Sequence, residues 1–214
     1  FIMELATFYH KFLRAKHWHL FILSFGLPFF IAITGVIAIM LTLFLSGGFY
    51  QGYSLFLNER ILFIYFGVVI LLSFIGSLVF AGWIISVGFG LKKYIPEELR
   101  LKTGWFKASI LSYLILPLIL IIFLITSIRV PTNSVMFGLS IFLLIPFKFF
   151  MFAAYIYILY FTGRTFKTAQ LQEKLTLGDY IGEILMIYLF PVGVWFIQPE
   201  INKILKRSEN ITES

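Results

Sequence analysis

Residues 136–162 read MFGLSIFLLIPFKFFMFAAYIYILYFT, an almost unbroken apolar run with one cation, Lys148, near its middle. At about 1.5 Å per residue this stretch is roughly 40 Å long as a helix, more than the ~30 Å hydrocarbon core of a bilayer. It reads as a membrane span. Lys148 then lies about 18–21 Å along the axis from either end, too far for its ammonium to reach headgroups without tilt or a wet recess. The rest of the chain has to accommodate that charge.

The whole composition agrees. Hydrophobic residues make up 60% of the chain and charged ones 13%, with a mean hydropathy of +0.97, which excludes a soluble globular domain. The 214 residues are filled by apolar blocks and short connections, so the chain reads as a single membrane domain. There is no cysteine, hence no disulfide, thiolate chemistry or cysteine-ligated metal. The net charge of +7 gathers at the ends of apolar blocks rather than along one polar face. That pattern points to anionic lipid headgroups, not nucleic acid.

Working outward, residues 1–19 form an amphipathic pattern, with Leu5, Phe8 and Phe12 on one stripe and Lys11, Arg14 and Lys16 on the remainder. This segment is expected to lie in the headgroup plane. Spans are expected at 20–46, 61–91, 108–128 and 136–162. The second repeats small residues four apart in two rows, Ser73, Ser77, Ala81 and Gly82, Ser86, Gly90, which suit close helix packing within the chain. Residues 47–60 read as a short outer loop, and 163–178 as a polar, basic link able to form a short surface helix. Residues 180–198, YIGEILMIYLFPVGVWFIQ, contain Glu183 and are broken at Phe190-Pro191-Val192-Gly193. Residues 199–214 read as a polar tail.

Fourteen of the seventeen Lys and Arg residues fall in four places: before Leu20, in the 92–107 loop with Lys92 and Lys93, in 163–178, and after Pro199. Arg60 and Arg129 occupy the opposite loops. The positive-inside rule therefore puts the N-terminus, the middle basic loop and the 163–178 link in the cytoplasm. A fifth complete crossing would carry Lys203, Lys206 and Arg207 outside. The expected fold is all-α: four transmembrane helices, an N-terminal interfacial helix and a C-terminal re-entrant or interfacial segment, with five spans as the alternative.

Lys148 and Glu183 are the ionisable residues inside apolar blocks and are expected to form an intramembrane pair. His10, His17 and His19 do not converge on one helix face, so no metal is assigned, and no cofactor or catalytic motif is present. Tyr155, Tyr157 and Tyr160 fit an aromatic belt.

AKHWHLFILSFGLPF, GFGLKKYIPEELRLKT and FPVGVWFIQPEINKI resemble stretches of small uncharacterised polytopic membrane proteins of Bacteroidota-type bacteria. The resemblance implies a bacterial inner membrane and brings no activity with it. The expected role is a non-enzymatic membrane subunit or scaffold, with lipids and other subunits, or further copies of itself, as partners. A small oligomeric transporter or channel around Lys148 and the broken last segment is second, because interrupted helices often line substrate sites. A lipid-modifying enzyme is third.

Overall fold

The computed structural model describes residues 2–45, 59–129 and 134–212, and its regular elements are all helical. They are α1 (Ile2–Leu13), α2 (His17–Phe21), α3 (Leu27–Leu45), α4 (Glu59–Ile85), α5 (Gly104–Arg129), α6 (Ser134–Leu171), α7 (Leu177–Tyr188) and α8 (Phe190–Thr212). Among the described residues, three stretches are long and apolar enough to cross a membrane: His17–Leu41, Ile64–Tyr94 and Pro146–Leu171. The expected outer loop at 47–60 lies mostly outside the described residues. The chain packs as two compact units, Phe1–Ser86 with Leu189–Ser214, and Val87–Tyr188.

In the first unit the expected surface helix stops early. α1 ends at Leu13, and the chain turns through Arg14 to Lys16 before α2 starts the long apolar stretch at His17. The cause is Gln198 of α8, whose side chain is fully buried. Its Nε2 donates to the carbonyls of Leu13 at 2.7 Å, Ala15 at 2.9 Å and, more distantly, Phe12 at 3.3 Å. Its Oε1 accepts from the indole Nε1 of Trp83 at 2.7 Å. An indole can only donate and a carbonyl only accept, so the orientation of the amide is fixed by its partners. Carbonyls that a helix end leaves unsatisfied are thereby supplied with a donor.

α8 buries Val194, Ile197, Gln198, Ile201, Ile204 and Leu205, a stripe at helical spacing. The stretch expected to be a tail therefore continues the helix to Thr212 through Pro199 and packs its apolar side. Rings complete the joint: Phe190 meets Phe80 and Trp83, while Trp195 meets His17 and Phe21. Among the described side chains of α1, Leu13 is buried, Phe12 is half-buried against the Gly82 position, and Phe8 is exposed.

Pro28 has no N–H for the carbonyl of Ser24, and just before it the helix widens to a π turn, Ile22–Gly26. Ser24 Oγ donates back to the Leu20 carbonyl at 2.5 Å. α4 packs against this turn, and a Cβ at Gly76 would collide with the Ser24 backbone. Further along, the Tyr65 hydroxyl donates to the Ala32 carbonyl at 2.6 Å beside Gly35, which has no side chain to obstruct the ring. Of the two small-residue rows, Gly82, Ser86 and Gly90 are buried. Ser73 and Ser77 are exposed, and Ala81 is half-buried.

In the second unit α5 and α6 pack along each other around Phe106 and Phe161, stacked 4.1 Å apart. α6 runs nine residues past the end of the expected span, since 163–171 is helix rather than link. It ends at Gln172, whose φ of 58° is the left-handed value that closes a helix, and Gln172 N donates to the Thr168 carbonyl at 2.8 Å. α7 then starts at a cap. Asp179 Oδ2 accepts from the Thr176 hydroxyl at 2.8 Å and from its backbone N–H at 2.7 Å.

Two predictions follow from these joints. Replacing Gln198 by Leu removes the partner of the buried Trp83 N–H and the side-chain donor to the Leu13 and Ala15 carbonyls, and is expected to cost about 2–4 kcal/mol by thermal unfolding in detergent. Gln198→Glu, with an acceptor facing carbonyls, should do no better, whereas Trp83→Phe should cost less than either. In the second unit the Thr176 hydroxyl, and after it the Thr176 N–H, hold the Asp179 carboxyl below its usual pKa. The stability from this cap is fully present above the ordinary aspartate pKa of about 4 and is lost as pH falls through the lower folded value. Acidification should thus lower the melting temperature of the wild type more than that of Asp179→Asn.

Candidate functional site at the polar end of the longest helix

Toward its C-terminus α6 changes character. Tyr157, Tyr160, Arg164 and Lys167 follow at intervals of three and four, so one stripe runs from aromatic to cationic. α7 packs against this end of α6 with Tyr180, Ile184 and Ile187, the first and last of them fully buried. Gly163 leaves the room that Ile184 occupies.

The stripe is held by polar contacts. Lys167 Nζ pairs with Glu183 Oε1 at 2.7 Å, with side chains 22% and 17% exposed, an ion pair largely withdrawn from solvent. Arg164 Nη1 donates to the Tyr160 hydroxyl at 2.8 Å, and the Tyr160 ring meets the buried Tyr180 edge-on at 5.9 Å. Nearer the middle of α6, Tyr155 stacks on Tyr113 of α5 at 5.7 Å and meets Tyr188 of α7 at 6.4 Å. The tyrosines thus tie three helices together, beyond the aromatic belt expected for them.

Beside the stripe is a polar cleft of about 340 Å³. Arg164 and Thr168 supply one wall, Glu98 and Arg100 of the segment before α5 another, and Glu173 and Lys174 of the link after α6 the rim. Arg100 is positioned by its Nε, which donates to the Ile95 carbonyl at 2.9 Å, and by Nη1, which donates to Glu97 at 2.8 Å. A second, apolar groove of about 240 Å³ lies between α5 and α6, with Ala108, Ser109, Ala153 and Ala154 among its walls.

The expected pairing of Lys148 with Glu183 is not formed. Glu183 is taken by Lys167, and Lys148 is exposed and has no partner among the described residues. The reason is length: Glu183 lies in the middle of α7, which packs on the last turns of α6, and Lys148 is 19 residues before Lys167, about 28 Å along the axis. Lys11, Arg14, Lys16 and Lys93 are exposed and Lys92 is half-buried; Lys93 Nζ lies 4.7 Å from the centre of the Tyr94 ring. His17 packs on Trp195 and His19 on Trp18. No group of metal-ligating side chains occurs among the described residues.

Arg100, Arg164, Lys167 and Thr168 were not singled out from the sequence, where 163–178 reads as a solvated link. The available signal was the seven-residue step from Tyr157 to Arg164 and from Tyr160 to Lys167, which carries the helical stripe past Thr162.

A double-mutant cycle on thermal stability should find Lys167 and Glu183 coupled by about 1–2 kcal/mol, with Lys167→Met and Glu183→Gln as the single changes. Lys148→Met with Glu183→Gln should be additive within about 0.5 kcal/mol. No family model, curated protein or solved structure matches this chain.

Proposed function

We propose that this protein is a non-enzymatic integral subunit or scaffold of a membrane complex. Lys148 carries the reading. It is exposed between apolar neighbours, with Phe149 and Phe150 exposed beside it, and is unpaired among the described residues. Sixteen residues, about 24 Å, separate it from Arg164 at the polar end of α6. A lysine on a lipid-facing helix centre costs about 2.5–3.5 kcal/mol on the lenient insertion scale, and a carboxylate of another chain relieves that cost. The polar groups inside the two units are, by contrast, used to join helices: Gln198 to Trp83, Tyr65 to Ala32, Lys167 to Glu183. The alternative, a small oligomeric transporter or channel, is favoured by the same lysine if it faces water in an assembly.

The topology we favour has four crossings, a cytoplasmic N-terminus and a last apolar block that stays on the cytoplasmic side of the inner membrane. Besides the charge bias, two packing facts support it. The block folds as two helices meeting at Leu189; α7 packs on the basic end of α6, and α8 packs on α1 and α2.

Co-purification from native membranes tests the role. A stoichiometric partner lost on Lys148→Met, with the chain still folded, is the expected result. A lone oligomer enclosing a wet cavity lined by Lys148 would move the reading to transport. For the topology, a cysteine in place of the exposed Lys206 should label only from the cytoplasm, and labelling only from outside would establish five spans.

A further inference from the structure

We propose that the polar cleft at the end of α6 binds a phosphate ester that also carries an amine, the chemistry of a phosphoethanolamine group. The cleft combines three cations, Arg100, Arg164 and Lys174, with two carboxylates, Glu98 and Glu173, that have no partner among the described residues. A purely anionic ligand would satisfy the cations and be repelled by the carboxylates. A zwitterion satisfies both signs.

The order of the groups along the axis fits this ligand. Arg164 is in the last turns of α6 and half-buried, Thr168 follows one turn later and is buried, and Glu173 and Lys174 lie beyond the helix end and are exposed. Phosphate at the arginines and ammonium at the glutamates is thus a deep-to-shallow order, as in a lipid whose amine points away from the bilayer. Both arginines are held by contacts of their own and keep N–H groups free: Arg100 uses two of five on Ile95 and Glu97, and Arg164 one on Tyr160. A fork fixed before binding loses less entropy on engaging a phosphate. The Thr168 hydroxyl donates to the Arg164 carbonyl at 2.7 Å, so it helps to hold this turn and is not counted as a ligand. The volume, about 340 Å³, is at the lower end for small-ligand sites and suits a headgroup rather than a whole lipid.

This site is independent of the scaffold reading and of Lys148. The ester has two possible sources, a bilayer phosphatidylethanolamine or a soluble phosphoethanolamine, and the test separates them. Full-length protein in detergent is titrated with phosphatidylethanolamine, phosphatidylglycerol or O-phosphoethanolamine, and occupancy is read by native mass spectrometry and thermal shift. One saturable phosphatidylethanolamine per chain, bound about tenfold tighter than phosphatidylglycerol, is expected. Glu98→Gln with Glu173→Gln, both exposed and outside the packed interior, should remove that preference and leave phosphatidylglycerol binding equal or stronger. Arg100→Met with Lys174→Met should weaken both lipids about tenfold, and leaves the Arg164–Tyr160 bond intact should Arg164 variants fold poorly. Displacement of the lipid by millimolar O-phosphoethanolamine assigns a soluble source, and its failure to displace assigns the bilayer; either supports the site. Equal affinity for the two lipids in the wild type, or a preference untouched by the glutamate changes, overturns it.

Discussion

One buried amide holds the first unit together. Gln198 is enclosed completely, yet every hydrogen-bonding atom of its side chain is matched: an indole N–H on its oxygen and two close carbonyls, with a third further off, on its nitrogen. An unpaired amide in an apolar surrounding would cost several kcal/mol, so α8, the end of α1 and Trp83 of α4 are registered to one another within a hydrogen bond's tolerance. The apolar stripe of α8 and the ring contacts of Phe190 and Trp195 then add packing area to a geometry already specified. Hydrophobic faces alone are tolerant of sliding, and lipid competes for them without a net cost. A polar joint is not tolerant in this way.

The second unit uses the same logic. Apolar contact dominates along α5 and α6, through Phe106 on Phe161, and polar contact takes over where α6 leaves the apolar zone. Lys167 with Glu183 and Arg164 with Tyr160 fix α7 against α6 and hold the arginine that faces the cleft. One helix, α6, therefore contributes both to the interior of the unit and to one wall of its polar cleft. Lys148 is outside this scheme, since no described residue answers its charge.

Long apolar runs, cysteine absence and the gathering of Lys and Arg at the ends of apolar blocks were legible in the sequence because they depend on composition and length. Polar residues continue a helix in two places, 163–171 and 199–212. There, a stripe of apolar and aromatic residues at helical spacing, such as Ile201, Ile204 and Leu205, outweighed the polar composition. The break after α1 was hidden for the opposite reason: nothing in KFLRAKHWH stops a helix locally, and the carbonyls there are diverted by a glutamine some 185 positions away.

By itself, then, the sequence determined an all-helical chain with segments long and apolar enough to cross a bilayer, because those properties follow from residue counts and the thickness of hydrocarbon. Which charges meet was decided only by tertiary structure. Glu183 had one conspicuous intramembrane cation to choose from in the sequence and a different one in space, because helix rise converts 19 residues into about 28 Å and an ion pair forms only within about 4 Å. The same holds for the cleft, whose residues come from three separate segments, 98–100, 164–168 and 173–174, and become one site only in the folded unit.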